Sequence, residues 1–260
     1  MTAIAILGLG EAGRLYARGL LGSGADVRGY DPHHRLGDPD VRQFDDLGAT
    51  LAGADVVVSL VGGGAAASVA RDALPLVDAS AVYADFNTAA PELKHDIAAL
   101  AADRGVAMAD VAVLAPVPRA AHRTPLLASG PGADALVVRL APFGVPITVV
   151  GARAGEAAQL RLLRSVFMKG LAALVIEADN AARALGAEEW LRGQMAGEFG
   201  ADGPALIERL LAGTHQHAVR REHEVRDALA ALEATGQPAD MTRATLAWFQ
   251  RIVAARDESA

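Results

Sequence analysis

Up to Val150, short apolar runs alternate with stretches of Ala, Leu and Arg at helical spacing. The runs Ala3–Leu7, Val27–Tyr30, Asp55–Val61, Ala81–Asp85, Val106–Ala109, Leu126–Ser129 and Pro146–Val150 predict strands. Between them, Glu11–Leu21, Ala66–Leu74 and Pro91–Arg104 predict helices, because Ala, Leu and Arg lose little on entering a helix. This alternation predicts βαβ units with right-handed crossovers, hence an α/β fold built on a doubly wound parallel sheet.

From Gly151 onward the strand pattern stops and helical spacing takes over. A long helix is expected over Ala154–Leu185, with Gly170 inside it and Gly186 as its C-cap. Three or four shorter helices follow, with breaks at Gly200–Pro204 and Gly236–Pro238. The division is therefore a domain over 1–150 and an all-helical domain over 151–260, with Asp257–Ala260 expected to fray.

At 260 residues, 52% apolar and 21% charged, the chain has the balance of a folded protein with a sizeable core. A net charge of -7 opposes phosphate backbones and anionic lipid, so neither nucleic acid nor a membrane is an expected partner. No apolar run reaches the roughly 20 residues of a bilayer span. The apolar start, Ala3–Leu9, lacks a basic leader and reads as a strand. Without cysteine, disulfides and thiolate chemistry are excluded, and a cytoplasmic setting fits.

Gly8-Leu9-Gly10-Glu11-Ala12-Gly13 follows the first strand and opens a helix, as the dinucleotide fingerprint of a Rossmann domain does. Gly8 permits the turn, Gly10 admits the pyrophosphate, and Gly13 lets helix pack on strand. The helix N-terminus then offers N–H groups and partial positive charge to phosphates. Asp31 closes the second strand, 18 residues beyond Gly13, where a carboxylate accepts from ribose hydroxyls. That favours NAD, while His33, His34 and Arg35 keep NADP open.

With Asp55-Val56-Val57-Val58-Ser59-Leu60 and Asp85-Phe86-Asn87-Thr88-Ala89-Ala90-Pro91, these features resemble the β-hydroxyacid dehydrogenase family. That family includes 6-phosphogluconate and 3-hydroxyisobutyrate dehydrogenases, and the resemblance covers nearly the whole chain. It implies that Asn87 and Thr88 lie near nicotinamide and substrate, and it adds Val61, at the end of its strand, to the cofactor-binding residues. Counted from Gly155, Arg161 stands where the family has its catalytic lysine and Ser165 where it has an asparagine. The stretch Leu163–Leu171 instead resembles a less characterised branch with its own C-terminal domain. Leu114–Pro118, with Arg119, His122 and Arg123 beyond it, replaces the family's glycine-rich substrate loop. The resemblance also implies a homodimer formed through the helical domain, whose apolar content includes Trp190, Phe199, Trp248 and Phe249.

Oxidation of an alcohol needs a base for the hydroxyl proton, and arginine, with a pKa above about 12, cannot serve. Lys169 lies eight residues beyond Arg161, so at about 100° per residue the two are roughly 80° apart, with Ser165 on the same face. Lys169 is the expected proton donor and acceptor, and Arg161 or Ser165 orients a small anionic substrate. His215-Gln216-His217 puts two imidazoles about 200° apart on a helix, which speaks against a shared metal. The segment through His223 reads as a solvated charged surface.

The expected activity is hydride transfer between a nicotinamide cofactor and a small hydroxy acid. An imine reductase on the same fold is the first alternative, since such enzymes lack the family lysine. A non-catalytic dinucleotide sensor is the second.

Overall fold

A computed structural model describes residues 2–37 and 41–257. Its strands are β1 (Ala3–Leu7), β2 (Asp26–Tyr30), β3 (Arg42–Phe44), β4 (Val56–Ser59), β5 (Val82–Asp85), β6 (Ala107–Val113), β7 (Leu126–Ser129) and β8 (Ile147–Gly151). They form one sheet in the order β3-β2-β1-β4-β5-β6-β7-β8. β1, β4 and β5 are buried at every position, as apolar strands covered on both faces must be. Side chains alternate between two cores: Ile4, Ile6, Val56 and Val58 enter one, Ala5, Leu7, Val57 and Tyr83 the other.

All neighbouring pairs are parallel except β6 with β7. The doubly wound sheet is thus mostly parallel, with this one antiparallel pair. Pro116, Pro118 and Pro125 confine the connection to short 3₁₀ turns at Val117–Arg119 and Ala121–Arg123, so no crossover helix carries the chain back and β7 returns antiparallel.

The helices of this part are α1 (Glu11–Gly22), α2 (Leu47–Leu51), α3 (Gly63–Ala73), α4 (Pro91–Ala102) and α5 (Ala133–Leu140). Three elements escape the periodicity argument. β3 has the sequence Arg-Gln-Phe and is held at the sheet edge by backbone pairing to β2. α2 is five residues long and owes its start to Asp46, whose side chain accepts from Ala49 N at 2.7 Å. α5 contains Val137 and Val138, which lower its helical signal, and is recruited by burial of Ala133, Leu136 and Leu140.

Beyond β8 the chain is helical: α6 (Glu156–Ala184), α7 (Glu188–Glu198), α8 (Gly203–Gln216), α9 (Ala218–Glu233) and α10 (Asp240–Asp257). The expected breaks at Gly200–Pro204 and Gly236–Pro238 separate α7 from α8 and α9 from α10, and Gly186 is left-handed after α6. α10 includes Asp257; residues 258–260, where fraying is expected, lie outside the described residues.

The chain divides into two compact units, Met1–Arg161 and Leu162–Ala260, so the boundary falls inside α6 rather than at Val150. Its first turn belongs to the sheet because Asp110 Oδ2 accepts from Gly155 N and Ala158 N, and Ser129 Oγ from Ala157 N, all at 3.0 Å. The second unit packs Val175, Ile207, Leu210, Val225 and Phe249 into a core of its own. Among the described residues, no helix is long and apolar enough to cross a membrane.

Candidate functional site

The turn after β1 is built by three glycines that do different work. Gly8 has φ +92°, and a Cβ there would stand 2.5 Å from the Leu60 carbonyl oxygen and 3.0 Å from a methyl of Val61. At Gly13 a Cβ would come within 1.9 Å of the Gly8 carbonyl oxygen. Neither position admits a side chain. At Gly10 a Cβ would meet nothing within 4 Å. Gly10 is also the N-cap of α1, with no side-chain cap, so the first-turn N–H groups of Glu11, Ala12 and Gly13 face an open approach. Open space above an uncapped helix start fits a pyrophosphate, and this is the part of the chain that would hold a dinucleotide.

Leu9 and Asp31 lock this turn. The Leu9 side chain is buried against Gly29, and its N–H donates to Asp31 Oδ2 at 2.7 Å. Asp31 Oδ1 accepts from His33 N at 2.8 Å and His34 N at 3.0 Å. Burial pushes the Asp31 carboxyl up, but these three backbone N–H groups and the His34 imidazole outweigh it and hold the carboxyl below its ordinary value. A cleft beside the turn is lined by Leu9, Gly10, Glu11 and Arg14 from one side and His34, Arg35 and Leu36 from the other.

Asn87 is occupied by the protein. Its Nδ2 donates to Ser59 Oγ at 2.9 Å and to Asp85 Oδ1 at 2.5 Å, while its Oδ1 accepts from Gly62 N at 2.8 Å. The side chain thus ties the loop after β4 to the loop after β5, and Thr88, which is exposed, is the member of the pair open to a ligand. Under Asn87 lies a charged cluster that the sequence argument missed. Lys94 Nζ donates to the Asp85 carbonyl at 2.9 Å and stands 3.3 Å from Asp85 Oδ2 and 3.2 Å from Asp110 Oδ1. All three side chains are buried. The signal that could have found them is compositional: the chain has only two lysines, Lys94 and Lys169, among 24 Lys and Arg.

On α6, Ser165 is buried and Arg161 and Lys169 are partly buried, as the shared helix face requires. Lys169 Nζ pairs with Glu224 at 2.8 Å; the lysine side chain keeps 16% exposure and the glutamate 5%. Both lysines of the chain therefore face buried carboxylates.

One expectation is corrected. The stretch from His215 to His223 is not a uniformly solvated helix, because α8 ends at Gln216, His217 sits at the junction, and α9 buries Glu222 and Glu224. Glu222 pairs with Arg226, and Glu224 with Arg220 at 2.7 Å. The segment after β6 is docked at His122, which is buried with Nε2 3.1 Å from Ser23 Oγ of the α1 C-cap. Of the aromatic residues, Phe249 is core, whereas Trp190 is 66% exposed.

Residues 3–143 match the model of the NAD binding domain of 6-phosphogluconate dehydrogenase, and residues 182–252 match a domain of unknown function, DUF1932. An uncharacterised 28.5 kDa protein of Methanothermus fervidus is 30% identical over 191 residues, 74% of this chain and 72% of that one. A conserved hypothetical protein of Sinorhizobium meliloti, of known structure, is 34% identical with a TM-score of 0.75, over 96% of this chain and 88% of that chain. The 3-hydroxyisobutyrate dehydrogenase of Mycobacterium tuberculosis, solved with L-serine, shares the fold at TM-score 0.80 and 23% identity, over 98% and 94% of the two chains.

Proposed function

Since the chain belongs to the family of the NAD binding domain of 6-phosphogluconate dehydrogenase, we propose that it is a nicotinamide-dependent oxidoreductase acting on a small, anionic hydroxy acid. The observation that carries this reading is the open position at Gly10 above the uncapped start of α1, between two glycines that have no such room. The fold shared with a 3-hydroxyisobutyrate dehydrogenase supports the substrate class.

When bound, the nicotinamide supplies the hydride acceptor for the carbinol carbon. The hydroxyl proton must then go to a base on the protein, and the chain offers two lysines for the role the family gives to lysine. Lys94 is sealed among Asp85 and Asp110, so Lys169, with exposed surface left beside Glu224, is the proposed acid and base. Arg161 holds the substrate carboxylate by paired hydrogen bonds, and Ser165 steadies it. The partner is a second copy of the chain. Leu163, Phe167 and Leu174 of α6 fall within about 40° of one another on the helix and are 51%, 67% and 62% exposed, which supports a homodimer face.

The test is calorimetric titration with NAD(H) and NADP(H), followed by a screen of 3-hydroxy acids, including 3-hydroxyisobutyrate and L-serine, read by nicotinamide absorbance. Turnover of a hydroxy acid is expected. Reduction of cyclic imines instead would move the activity to imine reduction, and tight binding without any turnover would make the chain a sensor. Absence of dinucleotide binding would overturn the reading altogether.

A further inference from the structure

Resting on the dinucleotide reading, we propose that the cleft beside the glycine turn selects the 2′-phosphorylated dinucleotide, NADP(H), with Arg14, His34 and Arg35 as the side chains that face the phosphate. The position of Asp31 alone points the other way, toward free ribose hydroxyls. The contacts of Asp31 give its carboxylate a second task. Both of its oxygens accept backbone N–H groups, from Leu9, His33 and His34, and its side chain is 8% exposed. A carboxylate so engaged shapes the turn, and its charge is countered by three N–H dipoles and by His34 Nδ1 at 3.3 Å.

The cleft itself brings two guanidinium groups and an imidazole together from two elements. Arg14 comes from the first turn of α1, and His34 and Arg35 from the loop after β2, with Glu11 the one carboxylate in the lining. Among the described residues nothing engages the Arg14 guanidinium, which is exposed one turn beyond Gly10. Among the described residues Arg35 pairs with Asp45, and both side chains are largely exposed, at 67% and 77%. Exposed pairs of that kind contribute little, so a phosphate dianion can displace Asp45. A guanidinium gives a phosphate two parallel hydrogen bonds, which a ribose hydroxyl cannot return.

The experiment measures dissociation constants of the full chain for NADPH and NADH by calorimetry, with adenosine 2′-monophosphate and adenosine 5′-monophosphate as fragment probes. NADPH is expected to bind at least tenfold tighter, and the 2′-phosphate fragment to compete better than the 5′-phosphate fragment. Arg14→Ala should weaken NADPH at least tenfold and leave NADH within about twofold, because the side chain touches only the added phosphate. Arg35→Ala should act in the same direction. Wild type that binds NADH as tightly as NADPH overturns the proposal while the dinucleotide reading stands. A preference for NADPH that survives both substitutions overturns the assignment of these residues. Failure of both cofactors to bind overturns the underlying function instead.

Discussion

Lys94 Nζ stands 3.2 Å from Asp110 Oδ1 and 3.3 Å from Asp85 Oδ2, and this ammonium is the cation facing both oxygens. Neither oxygen has another hydrogen-bond partner among the described residues. The ammonium thus joins the C-terminal end of β5 to the middle of β6, where Asp85 holds Asn87 and Asp110 holds the start of α6.

Lys94→Met is therefore expected to destabilise the first unit by about 3–5 kcal/mol, the cost of leaving one side of a buried pair without its partner. Lys94→Arg should also destabilise, since a planar guanidinium does not replace a compact ammonium among three acceptors. Denaturant unfolding followed by circular dichroism measures both. Stability equal to wild type in Lys94→Met would show that the carboxylates do not need this cation.

Gly10→Ala and Gly13→Ala should part company. The Gly10 variant has open space for its methyl and should fold with an unchanged thermal midpoint, yet lose dinucleotide binding because the methyl occupies the approach to α1. The Gly13 variant places a methyl 1.9 Å from the Gly8 carbonyl oxygen and should lose stability before binding can be measured. Thermal shift with and without NADPH separates the two outcomes; cofactor affinity retained in Gly10→Ala would contradict the pyrophosphate assignment.

Asp179 gives the second unit a defined pH dependence. The Arg192 fork, at 2.6 and 3.0 Å, together with Arg183, holds the Asp179 carboxyl below its ordinary value against the opposing effect of burial. A carboxyl depressed in the folded state adds stability above its unfolded pKa, about 3.9, and loses it as pH falls through the folded value. Asp179→Asn should cost about 1–3 kcal/mol at neutral pH and flatten the acid limb of the stability profile. If the variant and wild type keep a constant difference from pH 7 down to pH 2, the linkage is wrong.

For catalysis, Lys169→Ala should lower kcat by about 10²- to 10⁴-fold on any substrate found, the usual cost of losing a general acid or base. Arg161→Ala should mainly raise KM, as expected when a binding contact is removed. Lys169 also neutralises buried Glu224, so Lys169→Ala combined with Glu224→Gln is the needed control. The double variant should regain stability without regaining turnover, and an ionisation in the wild-type pH profile should be gone from it. Recovery of turnover with stability would make Lys169 a structural cation.

Most strands and helices and the dinucleotide turn were legible along the chain because each depends on local order: short apolar runs, helical spacing, and glycines at fixed offsets after a strand. Gly10 could be named from its neighbours, but only the fold shows that its missing side chain leaves open space whereas those of Gly8 and Gly13 would strike backbone. Short elements such as β3 and α2 were invisible because edge pairing and a single cap, rather than periodic burial, hold them. Asp31 has the right place in the sequence for a ribose ligand; the fold adds that one of its oxygens accepts from Leu9 in the first turn, while the other accepts from His33 and His34 just after Asp31. Lys94, Asp85 and Asp110 come from α4, the end of β5 and the middle of β6, a coincidence in space that no spacing along the chain encodes. Local sequence determined which elements form and where phosphates are received; long-range packing decided which charges are buried, which are paired, and which remain to meet a ligand.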